Sequence, residues 1–164
     1  MANKAKPIPE GYHTVTPYLI VNGGAAALDF YKKAFGATEL FRFPMPNGKL
    51  GHAEIKIGNS HIMLADEPEG PVAETPDHRA LRSPKTAAGR TTVGIMLYVE
   101  DVDRLAKQAV AAGAKELRAV TNQFYGDRSG TYEDPFGHVW TISTHIEDVS
   151  PEEMMKRAQQ QHGG

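Results

Sequence analysis

Cysteine is absent from the 164 residues. Disulfides, thiolate metal sites and cysteine nucleophiles are excluded with it. Apolar runs are short, far below the ~18 residues that span a bilayer, so no membrane partner is expected. The opening stretch MANKAKPIPEGYH is polar, broken by prolines, and lacks a signal-peptide pattern. A cytoplasmic location is the expectation. An excess of one charge is also missing, with 18 Lys and Arg against 20 Asp and Glu. Nucleic-acid binding usually needs a basic stripe, and no such partner is expected. Neither Gly-x-Gly-x-x-Gly, nor a phosphate-loop lysine, nor a Gly-x-Ser-x-Gly elbow occurs. The glycines of NGGAAALDF therefore read as shaping a strand-to-helix turn.

What is present is an internal repeat. LIVNGGAAALDFYKKAFGATEL (19–40) lies on LYVEDVDRLAKQAVAAGAKEL (97–117). Val21 meets Val99, Gly36 meets Gly113, and both stretches end in Glu-Leu. Farther on, GHAEIKIG (51–58) lies on GTYEDPFG (130–137), which pairs Glu54 with Glu133. Each copy reads as strand, helix, then three strands. The stretches 15–21 and 92–99 are apolar and β-branched, as buried strands are. In the first helix Leu28, Tyr31, Ala34 and Phe35 form the apolar stripe. In the second, Asp101 caps, and Val102, Leu105, Ala109 and Ala112 recur at helical spacing. Gly36 and Gly113 are the left-handed stops. The pattern predicts an α+β chain of two tandem βαβββ modules, 12–66 and 92–146. Segment 67–91, with four prolines, reads as a linker or mobile flap. A C-terminal helix over 149–161 is signalled by Ser150, Pro151 and a capping box closed by Glu153.

GHAEIKIGNSHIML (51–64) carries His52, Glu54 and His61, side-chain types that hold metals. A Gly58-Asn59 turn pairs Ile57 with Ser60, Lys56 with His61 and Glu54 with Met63. Alternation then puts His52, Glu54, Lys56, His61 and Met63 on one face, and Ala53, Ile55, Ile57, Ile62 and Leu64 on the core face. His52 falls four residues from the position opposite His61, on the order of 13 Å away at ~3.3 Å per residue. Ligands of one ion lie within ~2.0–2.2 Å of it, so the two imidazoles do not share one. His52 with Glu54 supplies two ligands, and a third would come from His13, His138 or elsewhere. His138 is expected to be exposed at a turn, and His78 falls in the linker.

The segments YLIVNGGAAALDFYKKAFGA, MLYVEDVDRLAKQAVAAGA and YEDPFGHVWTIST resemble the vicinal oxygen chelate superfamily. That superfamily includes glyoxalase I, bleomycin-resistance proteins and extradiol dioxygenases. The first module, with TPYLIV, AFGA and GHAEIKIGNSHIMLADE, looks most like the PhnB-like branch. The resemblance implies curled mixed sheets that form a cavity. In metal-dependent members, ligands come from the first and last strand of each module. Carried over, those places fall on Thr16, Met63, Gly94 and Thr141, so neither a metal nor another cofactor is expected.

The resemblance implies a pocket for a small-molecule ligand, with Tyr18, His52, Glu54, Met63, Met96, Tyr125, Tyr132 and Thr141 as candidates. Trp140 is expected in the core. A metal-free binding protein that sequesters a drug or metabolite is the first expectation. The alternative is an enzyme of the superfamily, a lyase or isomerase, that uses a metal or acid–base chemistry at His52 and Glu54. A third reading is association through the terminal helix and linker. A homodimer is expected by fold analogy.

Overall fold

The structure, a computed structural model, describes residues 6–162. The chain divides into two compact units, one ending at Arg90 and the other starting at Thr91.

The first unit runs β1 (Tyr18–Val21), α1 (Gly24–Phe35), β2 (Thr38–Pro44), β3 (Leu50–Ile57) and β4 (Ser60–Asp66). Its sheet order is β1-β4-β3-β2, with β1 parallel to β4 and the other pairs antiparallel. β1 starts at Tyr18 rather than Val15 because Pro17 has no N–H for the ladder. Its carbonyl still accepts from Met63 N at 2.9 Å. Ala27, Leu28, Tyr31 and Ala34 of α1 are buried, as are Ala53, Ile55, Ile62 and Leu64 of the sheet. Burying each of the larger side chains is worth roughly 1.5–3 kcal/mol.

The buried Asp66 fixes the start of α1. Its Oδ1 accepts from Gly23 N at 2.7 Å and Gly24 N at 2.9 Å, and its Oδ2 accepts from Leu50 N at 2.8 Å. A Cβ on Gly24 would stand 2.8 Å from Asp66 Oδ2 and 3.1 Å from Leu50 Cβ. This close approach is why glycine occupies the turn.

Segment 67–91 carries local structure, a 3-10 turn at Gly70–Glu74 and the short helix α2 (Pro76–Arg79). It is also pinned to its own unit. Glu67 accepts from Arg82 Nη1 at 3.0 Å, Ser83 N at 3.1 Å and Thr86 Oγ1 at 2.5 Å. Ser83 is fully buried. This differs from a free flap, and the cause is the buried Glu67 carboxylate, which gathers donors from 82–86.

The second unit runs β5 (Gly94–Tyr98), α3 (Val102–Ala112), β6 (Lys115–Asn122), β7 (Asp127–Glu133), β8 (Val139–His145) and α4 (Pro151–His162). Its order, β5-β8-β7-β6, repeats the first sheet. Asp101 caps α3 through Arg104 N at 2.9 Å, and Gly113 ends it at φ 117°. Val102, Leu105, Ala106 and Ala109 are buried on its inner face. Tyr132, Trp140 and Ile142 are buried in the sheet.

Asp134 folds the DPFGH turn back on itself. Its carboxylate accepts from Phe136 N and His138 N at 2.9 Å each and from Trp140 Nε1 at 3.0 Å. His138 is therefore buried, 8% exposed, where the sequence suggested an exposed turn residue. In α4, Ser150 Oγ accepts from Glu153 N at 3.2 Å. Glu153 does not complete the capping box and instead accepts from Arg157 Nε at 2.9 Å. Arg157 also donates to Glu147 and to the Phe124 carbonyl, which ties α4 to its own unit. Among the described residues no helix is long and apolar enough to cross a membrane.

The two sheets repeat in detail. Met63 lies beside Tyr18 and Glu54, and Thr141 lies beside Met96 and Thr131. Register shifts recur between Glu39 and Phe41 and between Glu116 and Arg118. The repeated Glu-Leu is thus a β-bulge in both β2 and β6. Thr131 holds the place of Glu54. Glu133, which the sequence alignment set there, matches Lys56 instead, because the second sheet's last turn is longer than Gly58-Asn59.

Candidate functional site

Alternation along β3 places His52 and Glu54 on the sheet face opposite α1, and β1 brings Tyr18 to the same face. The predicted hairpin register holds, with Lys56 opposite His61 and Glu54 opposite Met63. The Tyr18 hydroxyl lies 2.9 Å from His52 Nδ1, and His52 Nε2 lies 3.1 Å from Glu54 Oε1. The other carboxylate oxygen of Glu54 accepts a short hydrogen bond from the Tyr12 hydroxyl. Tyr12 also meets the His61 ring edge-on, with centroids 4.3 Å apart. Tyr12, Glu54, His52 and Tyr18 thus form one continuous chain.

Proton placement follows from the partners. A carboxylate only accepts, so His52 Nε2 carries the hydrogen and Nδ1 accepts from the Tyr18 hydroxyl. The Tyr12 hydrogen bond, followed by that from His52, holds Glu54 below the usual carboxylate range against the opposing effect of burial. Burial and the neighbouring Glu54 push the Tyr12 phenol up to about 12. Burial, then the charge of Glu54, raises Tyr18 as well. Both phenols are protonated at neutral pH. The Glu54 carboxylate is thus linked through the His52 ring to the Tyr18 phenol.

Tyr18 also lines a cavity of about 380 Å³ on this unit. Ile20, Phe43, Met45, Val72 and Leu81 give it apolar walls. Lys49 stands at its edge with its charge turned to Glu69 at 2.5 Å. His78, expected in a bare linker, contributes to the lining from α2. The segment that Glu67 pins therefore forms one wall of the cavity.

Of the sequence candidates, Tyr18, His52, Glu54 and Met63 come together on the first sheet. Met96 and Thr141 are neighbours on the second. Tyr125 lies 3.4 Å from Ser129 Oγ. Tyr132 is displaced from the expected pocket. It is 1% exposed, pairs with Trp140, and lies on the helix side of the sheet, away from Thr141. β7 spans Asp127–Glu133, so Tyr132 lies within the strand, one residue from its end, rather than on a loop lip. Sequence reasoning missed Tyr12, which sits in irregular chain ahead of β1 and gives no periodic signal. It also missed Asp127, which accepts from Tyr98 and Ser143 and bonds His145.

The resemblance put the metal-ligand places at Thr16, Met63, Gly94 and Thr141. Tyr18 pairs with Met63 and Met96 with Thr141, so Thr16 and Gly94, two residues earlier in each chain segment, correspond. A thioether, two hydroxyls and a glycine do not fit a divalent cation. Among the described residues no group of three or more His, Asp or Glu is arranged to hold one. His61 Nδ1 is buried without a partner, but no such group surrounds it.

Comparison with known proteins agrees with this architecture. An uncharacterized protein of Mycobacterium tuberculosis, Rv0887c, is 39% identical over 153 residues, covering 92% of this chain and 85% of that one. Among solved structures, TioX from Micromonospora sp. ML1 superimposes with a TM-score of 0.62 at 24% identity, over 82% of this chain and 99% of that one. The fosfomycin resistance protein FosX from Listeria monocytogenes shares the fold, with a TM-score of 0.59 at 18% identity, over 87% and 97% of the two chains. Residues 12–142 match the pattern of the family described as Glyoxalase/Bleomycin resistance protein/Dioxygenase superfamily, and the chain belongs to that superfamily.

Proposed function

We propose that this chain is a small-molecule-binding protein of the PhnB-like branch, working without a divalent metal. The observation that carries the reading is the apolar cavity of about 380 Å³ entered by Tyr18, the end of the Tyr12–Glu54–His52–Tyr18 chain. Such a cavity suits a compact, mainly apolar guest that meets a few placed polar groups. With its proton given to His52, the Tyr18 oxygen is left to accept, so the guest carries a hydrogen-bond donor such as a hydroxyl or amide N–H. By fold analogy the chain works as a homodimer.

Native mass spectrometry of the purified chain, run with elemental analysis, tests this reading. An organic adduct without stoichiometric Zn, Ni, Mn or Fe supports it; a stoichiometric transition metal rejects it. A second reading, a metal-free lyase or isomerase, is favoured by one observation. His52 is oriented by a carboxylate and bonded to a phenol, the arrangement of a positioned general base. Conversion of the bound molecule by the wild type but not by His52→Gln would select it; an unchanged adduct over hours selects binding alone.

A further inference from the structure

The second sheet carries a different kind of site. The bulge at Leu117 turns Arg118 to the face opposite α3, while Glu116 stays on the helix side and bonds Tyr132. Arg118 Nη1 donates to the Ser129 carbonyl at 3.0 Å, and Nη2 donates to Ser129 Oγ at 3.0 Å and Thr131 Oγ1 at 3.3 Å. Thr131 Oγ1 lies 3.4 Å from Thr141 Oγ1, and Tyr125 OH lies 3.4 Å from Ser129 Oγ. Ser129 is fully buried, so it holds the guanidinium rather than meeting solvent.

We propose that this face binds a carboxylate-bearing small molecule, with Arg118 as its cationic anchor and Thr131 and Thr141 as hydroxyl donors. Arg118 has no carboxylate partner among the described residues. Three of its five N–H groups are used on the sheet, which leaves two for a ligand. Two acids share this face of β7 and neither bonds Arg118: Glu133 lies two residues beyond Thr131, and Asp127 is 3% exposed and engaged with Tyr98, Ser143 and His145. Half-exposed Met96 and Tyr98 supply apolar surface beside the hydroxyls for the rest of the ligand. The corresponding place on the first sheet is reversed in character: Phe41 stands where Arg118 does, and Glu54 stands where Thr131 does. The two faces thus select opposite chemistries, and this inference stands apart from the first-unit cavity.

Benzoate and its neutral isostere benzamide are titrated into the full chain by calorimetry, with Arg118→Gln and Arg118→Lys alongside. The expected result is saturable benzoate binding about tenfold tighter than benzamide, a preference that Arg118→Gln abolishes and Arg118→Lys reduces. Equal binding of the two probes, a preference retained in Arg118→Gln, or no saturable benzoate binding overturns the proposal. If Arg118→Gln does not fold, amide and side-chain NMR shifts in the wild type decide. Benzoate shifts centred on Arg118, Thr131 and Thr141 support the site, and shifts centred elsewhere overturn it.

Discussion

The Tyr18 hydroxyl meets Nδ1 of His52 at 2.9 Å, on the side of the imidazole opposite Glu54. One imidazole ring therefore links the half-buried Glu54 carboxylate to a residue that lines the apolar cavity. Removing either end of that link weakens ligand binding without unfolding the sheet. A hydrogen bond of this kind contributes about 1 kcal/mol, so Tyr18→Phe is expected to raise Kd about fivefold. His52→Ala also strips the support from Tyr18 and leaves the hydrogen bond to Glu54 unmade, so its effect is larger. Calorimetry with the co-purified molecule, paired with a thermal melt, checks both variants.

Tyr12 titrates late because burial and Glu54 both disfavour its phenolate. In Glu54→Gln the carboxylate is gone. The Tyr12 transition is then expected to move down from about 12 toward the usual tyrosine value. Spectrophotometric titration of wild type and variant reads this directly, with Tyr12→Phe identifying the missing step.

Glu39 carries an acid-stability signature. Hydrogen bonds from Arg42, then from Lys32, hold its carboxyl at about 2 despite partial burial. A carboxyl lowered in the folded state adds stability above its unfolded pKa and loses it as pH falls through the folded value. The contribution is therefore full above about pH 4.5 and fades toward about 2. With partners this exposed it amounts to about 1 kcal/mol. Glu39→Gln should lower the midpoint of urea unfolding at pH 7 and match the wild type near pH 2.

Glu67 governs one wall of the first cavity. Burial works against its charge, but the bonds from Thr86, Arg82 and Ser83 outweigh it and leave the carboxyl below its ordinary range. Glu67→Ala frees three donors, one of them the backbone N–H of buried Ser83. Hydrogen exchange over 68–90 should speed markedly in this variant, while β3 and β4 keep their protection. Unchanged exchange would show that the segment is held by other contacts.

Asp134→Ala probes the second unit in the same way. Three N–H groups lose their acceptor, at about 1–3 kcal/mol each when buried. A loss of several kcal/mol is expected in denaturant unfolding, with a change in Trp140 fluorescence.

Alternation and the Gly58-Asn59 turn were enough to set the β3–β4 register, since a slip of one residue would turn Ile55 and Leu64 outward. The same logic brought Tyr18, His52, Glu54 and Met63 to one face. Matching Glu54 with Glu133 failed because fixed spacing ignores the longer 134–138 turn. The repeated Glu-Leu was visible, yet nothing local marks it as a bulge, so the turning of Arg118 to the open face stayed hidden. Tyr12 bonds a partner 42 residues away from irregular chain, where periodicity carries no information. The hold of Glu67 on 82–86 is equally nonlocal, and a proline-rich segment gives no hint of it.

The most direct test is native mass spectrometry of the full chain beside its Tyr18→Phe/His52→Ala double variant, both prepared from the same host. An organic small-molecule adduct is expected on the wild type and is expected to be absent or strongly depleted on the variant. An adduct retained equally by both proteins would contradict this expectation, as would a wild type carrying only a stoichiometric transition-metal ion.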